Sequence, residues 1–142
     1  MTGTEEIEKQ IVEEFELFDD WSDKYQYIIE IGQKLPPLDE KYKTDENKIR
    51  GCQSSVWLNH YEKDGKLYFE ADSDSVFVKG EIALLMRVLS GQPPAEIMRT
   101  DLKFIDEIGL RQHLAVTRAN GLAAMIKQMK LIALGIQSKQ SA

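Results

Sequence analysis

Asp64-Gly65 lies between two runs of β-forming residues, Ser55 to Tyr61 and Lys66 to Ala71, and this arrangement constrains the chain more than any other stretch. Glycine takes positive φ without steric cost, so the pair closes a tight antiparallel hairpin. Two strands alone are marginal in water, and a short third strand could come from Asn47 to Arg50. The expectation is a small antiparallel sheet of about three strands.

Helical periods flank the hairpin on both sides. Thr4, followed by Glu5 and Glu6, can cap a helix carrying Ile7, Ile11, Val12, Phe15 and Phe18 and running to about Phe18. Asp19 and Asp20 precede a second pattern, with Trp21, Tyr25, Ile28, Ile29 and Gly32 on one side, which ends at Leu35 before Pro36 and Pro37. The two read as a helical hairpin. Leu38 to Arg50 is polar and charged, an extended surface loop leading to Gly51. Val76 to Leu89 is apolar on most faces, as suits a helix buried across the sheet, and Ser90-Gly91 with Pro93 and Pro94 ends it. Short helical turns follow at Ala95 to Met98 and Lys103 to Ile108, with a break at Gly109. A long final helix is expected from near Thr117 to about Ile136, its stripe formed by Leu122, Met125, Ile126, Met129, Ile132 and Ala133, with a polar tail over 137–142. Helices, then strands, then helices indicate the α+β class.

With 142 residues, the chain suits a single domain spanning 1–142. Its apolar runs are far shorter than a membrane span, and its N-terminus is acidic rather than basic then apolar, so neither a transmembrane helix nor a secretory signal is expected and the protein should be cytoplasmic. The net charge of −6 argues against nucleic acid as a partner, since phosphate binding needs clustered Lys and Arg.

Cys52 is the only cysteine. It excludes an intrachain disulfide and a Cys-rich metal site, and no metal is expected. The residue lies in Ile49-Arg50-Gly51-Cys52-Gln53-Ser54-Ser55-Val56-Trp57, a junction of loop and strand that can present a thiol on a rigid base. Gly51 permits a sharp turn, and Gln53 and Ser54 can donate hydrogen bonds that fix the loop. A thiolate is the nucleophile in sulfur exchange, and nearby cations or N–H donors favour it. The competing account is a small buried hydrophobe, since free cysteines are among the most buried residues.

Arg50-Gly51-Cys52-Gln53-Ser54-Ser55-Val56-Trp57-Leu58 resembles the signature of the SufE family of cysteine desulfuration proteins. The stretch from Lys24 to Pro36, Asp72-Ser73-Asp74 leading into Val78-Lys79-Gly80, and His113-Leu114 followed by Arg118 and Gly121-Leu122 resemble the same family in the same order. The resemblance implies the fold shared with NifU- and IscU-like scaffold proteins, helices packing a small sheet with the cysteine at a loop tip. It further implies a carrier that docks a pyridoxal-phosphate cysteine desulfurase of SufS or CsdA type and stimulates it. The carrier takes persulfide sulfur onto Cys52 and relays it to a SufBCD-like iron–sulfur assembly system. It would hold no cofactor of its own and would act as a monomer or weak homodimer, with no independent turnover.

Asp74 and Arg118 match family positions that support the cysteine loop and partner contact. Asp74 could equally be the N-cap of the central helix, and Arg118, poorly placed for a helix dipole, could equally be a solvated charge. Because the exchange must be kept from water and oxidants, the resting thiol is expected to tuck against Val56, Trp57 and the central helix. Two other functions compete: an iron–sulfur scaffold, which needs more thiolates than one, and a Cys-dependent hydrolase using His60 or His113, for which no orienting group can be assigned.

Overall fold

The computed structural model describes residues 3–141. Its elements are α1 (Gly3–Phe15), α2 (Trp21–Gln33), a 3-10 turn at Glu40–Tyr42, β1 (Val56–Lys63), β2 (Lys66–Ser73), α3 (Val76–Leu89), α4 (Pro94–Arg99), α5 (Phe104–Glu107), a second 3-10 turn at Arg111–His113, and α6 (Val116–Ser141). The class is α+β, with a long C-terminal helix. Among the described residues, no helix is long and apolar enough to cross a membrane.

β1 and β2 pair antiparallel from Val56↔Ser73 to Lys63↔Lys66. Asp64 and Gly65 both have positive φ, 54° and 79°, as a two-residue type I′ turn requires. Alternation then buries Val56, Leu58, Leu67, Phe69 and Ala71 on one face. Tyr61 and Tyr68 stack across the other, with centroids 5.2 Å apart.

The sheet has two strands, not three. The segment expected as the third makes only one isolated bridge, Lys48↔Trp57. It is fastened by Leu58 N–H to Asn47 O at 2.9 Å and Ile49 N–H to Val56 O at 2.8 Å. Gly51, with φ of 91°, then turns the chain away, so pairing ends where the cysteine turn begins. On the opposite edge Leu67 bridges Gln92. These flanking bridges and the covering α3 supply what a lone hairpin lacks.

α3 is the central helix, burying Phe77, Ile82, Leu84, Leu85, Val88 and Leu89. Its main helical partner is α2, and the two backbones nearly touch. A Cβ on Gly80 would lie 2.0 Å from the Ile28 carbonyl oxygen, and one on Gly32 2.2 Å from that of Val76. α1 joins α2 through aromatic contacts, Phe15 meeting Tyr27 edge-on at 5.2 Å, and through the Tyr27 hydroxyl donating to Glu14 at 2.6 Å.

Several helix ends differ from expectation. α1 stops at Phe15, and Thr4 lies buried inside its first turn, donating to Glu96 at 2.6 Å rather than capping. α2 stops at Gln33, with Asp20 as its N-cap accepting from Asp23 N–H at 2.9 Å. α3 is capped by Ser75, not Asp74. The polar tail read from 137 onward is helical through Ser141. Gln and Lys propagate a helix well, and no Gly or Pro follows Ile136 to stop it.

Candidate functional site

Cys52 sits on the turn between the Lys48 bridge and β1, and the chain is pinned on both sides of it. Upstream are the two bonds around Ile49. Downstream, Ser55 N–H donates to the Asp74 carboxylate at 3.1 Å. The Asp74 N–H at 3.2 Å and the Ser73 hydroxyl at 2.7 Å both donate to Ser55 O. Asp74 therefore clamps the end of the cysteine loop, while the helix cap falls to Ser75, which accepts from Val78 N–H at 3.4 Å.

Beneath this clamp, Asp72 is buried and paired with Lys43 and Lys79, each at 3.2 Å, and accepts from Ser73 N–H at 2.8 Å. Burial pushes its carboxyl up, but the Ser73 N–H and the two lysines outweigh it and hold the group below the usual aspartate range. Through Lys43 the surface segment before Gly51 is tied to the strand end and to α3.

The cysteine turn faces α6. Cys52 is half-buried, and its thiol makes a weak S–H···O contact to the Gly121 carbonyl at 3.6 Å. The fit is close but not crowded, since a Cβ on Gly121 would meet the sulfur at an ordinary van der Waals distance of 3.8 Å. Inward of the sulfur is a cavity of about 100 Å³ lined by Gln53, Ser54, Val78, Glu81, Arg118 and Met125, among others. Outward of it, an open groove of about 430 Å³ runs along Asp45, Lys48, Ile49, Arg50 and Gly51 to the same cysteine. Burial, then the charge on Glu81, push the Cys52 thiol up, so the resting group is the neutral thiol.

Arg118 occupies an aromatic bracket. Its guanidinium lies 4.8 Å from the centre of the Phe77 ring and 5.9 Å from that of Tyr25, and it donates to the Tyr25 hydroxyl at 3.0 Å. The two rings stack at 4.4 Å, so α2, α3 and the first turn of α6 meet at this one side chain.

The structure thus gathers Cys52, Gln53, Ser54 and Arg118 around one cavity. Gly51 stands behind them at the turn, and Asp74 lies outside the cavity on the far side of Ser55. Val56 and Trp57, expected to cover the thiol, do not line the cavity; α6 supplies most of the cover. His60 pairs with Phe69 within the sheet, and His113 stacks on Trp21 at 4.5 Å and contacts Gly109 O through Nδ1 at 2.7 Å, so neither lines the cavity. Among the described residues, no group of three or more His, Cys, Asp or Glu is placed to hold a metal ion.

The residue that sequence reasoning missed is Glu81. It is 2% exposed, its Oε2 has no hydrogen-bond partner, and burial lifts its carboxyl to about 8, with Arg118 pulling the other way. The available signal was the one acid in a mostly apolar helix whose other charges, Lys79 and Arg87, are basic.

A family model described as "SufE: Fe-S metabolism associated domain" matches residues 9–133. An uncharacterised SufE-like protein of Rhizobium meliloti is 43% identical over 131 residues, covering 89% of this chain and 94% of its own length. A SufE-like protein of Arabidopsis thaliana described as chloroplastic/mitochondrial is 41% identical over 132 residues, 92% of this chain but 36% of its own longer one. Among solved structures, that of a hypothetical protein from Thermus thermophilus superposes with a TM-score of 0.75 at 20% identity, covering 93% of this chain and 96% of that one, a likeness of fold. Matched over most of its length by the family model and by relatives above the identity at which family is in question, this chain belongs to the SufE family, the domain associated with Fe–S metabolism.

Proposed function

We propose that this protein is a sulfur carrier that takes a persulfide sulfur from a pyridoxal-phosphate cysteine desulfurase onto Cys52, stimulates that enzyme by unloading it, and relays the sulfur to a SufBCD-like assembly system. The observation that carries the reading is the placement of the chain's sole thiol. It sits on a turn clamped at both ends, between a partly open cavity and an open groove through which a partner's sulfur can approach.

The transfer is a thiol exchange. The Cys52 thiol gives up its proton, and the resulting thiolate attacks the outer sulfur of the donor persulfide. A new S–S bond forms to Cys52 as the donor's S–S bond breaks, and the donor cysteine leaves as thiolate. No electrons are gained or lost overall. The pyridoxal phosphate that generates the persulfide belongs to the desulfurase, and a single thiol per chain suits carriage of one sulfur atom better than assembly of a cluster. Because the Cys52 thiol is pushed up at rest, the exchange requires docking to bring in cations or N–H donors that favour the thiolate.

The test is to incubate the protein with a cognate desulfurase and free cysteine and then weigh it. The wild type should gain the mass of one sulfur atom, and Cys52→Ser none. A wild type that stays unloaded beside a turning-over desulfurase, or a serine variant that still gains sulfur, would refute the carrier reading.

A further inference from the structure

The exchange leaves one buried titratable group in the cavity without a task. Glu81 reaches it from α3, which otherwise buries apolar side chains there, and one carboxyl oxygen meets no hydrogen-bond partner. A buried polar atom left unpaired is unfavourable, and an apolar residue of similar size would serve packing better. Packing therefore does not account for the carboxyl.

We propose that the neutral carboxyl of Glu81 is the hydrogen-bond donor that holds the outer sulfur of a Cys52 persulfide inside the cavity. This inference rests on the carrier reading and adds to it a residue that positions the cargo.

The geometry permits it. Cys52 and Glu81 line the same cavity of about 100 Å³, while a water molecule occupies roughly 30 Å³ of liquid, so there is room for one more sulfur atom beyond Sγ. A persulfide is more acidic than its parent thiol and is an anion at neutral pH, so its storage beside the apolar inner wall formed by Val78, Leu122 and Met125 calls for a donor. The guanidinium of Arg118 is already engaged with the Tyr25 hydroxyl and two ring faces. A protonated carboxyl with a free edge is the remaining strong donor on the α3 side.

The protonation state agrees. The charged and titratable groups facing Glu81 are Arg118 from α6 and Cys52 from the loop, with Tyr25 of α2 acting through Arg118; Lys79, on the same helix, is turned to Asp72. Burial outweighs Arg118, and Glu81 is predominantly neutral at pH 7. A persulfide anion beside it would favour the neutral form further, since two like charges disfavour each other. Above about pH 8 the carboxylate would repel the stored anion, so hold turns into release.

The experiment loads Cys52 without any desulfurase, which separates its failure from that of the carrier reading. Cys52 is first converted to its mixed disulfide with 2,2′-dithiodipyridine; sulfide then displaces pyridine-2-thione and leaves the persulfide. Alkylation of the outer sulfur by iodoacetamide, with iodide leaving, is followed by mass spectrometry between about pH 6.5 and pH 9. Wild type should react slowly at the low end and accelerate through pH 8. Glu81→Gln keeps a donor and cannot ionise, so it should stay slow throughout. Glu81→Leu should be fast throughout, about tenfold or more above wild type at low pH. Equal rates for wild type and Glu81→Leu at low pH would overturn the proposal. So would an acceleration in Glu81→Gln matching that of wild type, and this comparison stands even if the leucine variant does not fold.

Discussion

Replacing Glu81 with Gln removes a titration that the folded chain resists. Unfolded, the carboxyl ionises near the ordinary glutamate value of 4.5; folded, burial lifts it to about 8 against the pull of Arg118. Between those values the unfolded chain has released a proton that the native chain keeps, so native stability falls as pH rises. The slope is about 1.4 kcal/mol per pH unit, which accumulates to roughly 4 to 5 kcal/mol across the window. The contribution is intact below about pH 4.5, lost progressively up to about 8, and constant beyond. A glutamine of the same shape has no such term, and all other titrations cancel in the difference between the two proteins. Urea unfolding of both at fixed ionic strength, from about pH 4 to pH 9, should therefore show Glu81→Gln gaining on wild type through the window and then running parallel to it. Parallel curves across the whole range would show that Glu81 ionises normally in the fold, and the assignment of a neutral carboxyl beside Cys52 would fall with it.

Gly80→Ala should lower stability by about 1–3 kcal/mol or more, because its Cβ would be driven into the Ile28 carbonyl; an unchanged melting temperature would contradict the near-contact of α2 and α3. Because burial and Glu81 push the Cys52 thiol up, iodoacetamide should modify the folded protein with a pH midpoint above that of the urea-unfolded chain, and coincident midpoints would count against the site's electrostatics. Arg118→Lys cannot span two rings and a hydroxyl with a point charge; sulfur loading by the desulfurase should slow while thermal stability changes by only about 0.5–1 kcal/mol, and normal loading would remove Arg118 from the site.

The hairpin was legible because Asp64-Gly65 is a local signal, decided by two residues and their φ angles. The central helix was legible because apolar residues crowd Val76 to Leu89. Cys52 could be singled out as the only cysteine, but its role came from motif resemblance, since spacing alone left a buried hydrophobe open. What the sequence hid were choices between neighbours and rotations between elements. Asp74 and Ser75 are both good caps, and only the approach of Ser55 decides which one turns to the helix and which to the loop. The third strand failed because pairing depends on where Gly51 diverts the chain, a property of the turn rather than of strand propensity. Glu81 was hidden because which face of α3 meets the cysteine loop is set by the packing of α2 and α6, not by α3 itself. Helical continuation past Ile136 was missed because the end of burial is not the end of a helix.

The thiol hydrogen given to Gly121 has a fate of its own. When a second sulfur joins Cys52, the inner atom no longer bears a hydrogen, and the Gly121 oxygen loses its donor through the very act of filling. In the empty molecule this weak contact lasts only while the thiol keeps its proton, and in a filled one the contact proposed for the outer sulfur lasts only while Glu81 keeps its own. On the proposed reading, filling would pass the sulfur's contact from a main-chain oxygen of α6 to a carboxyl of α3.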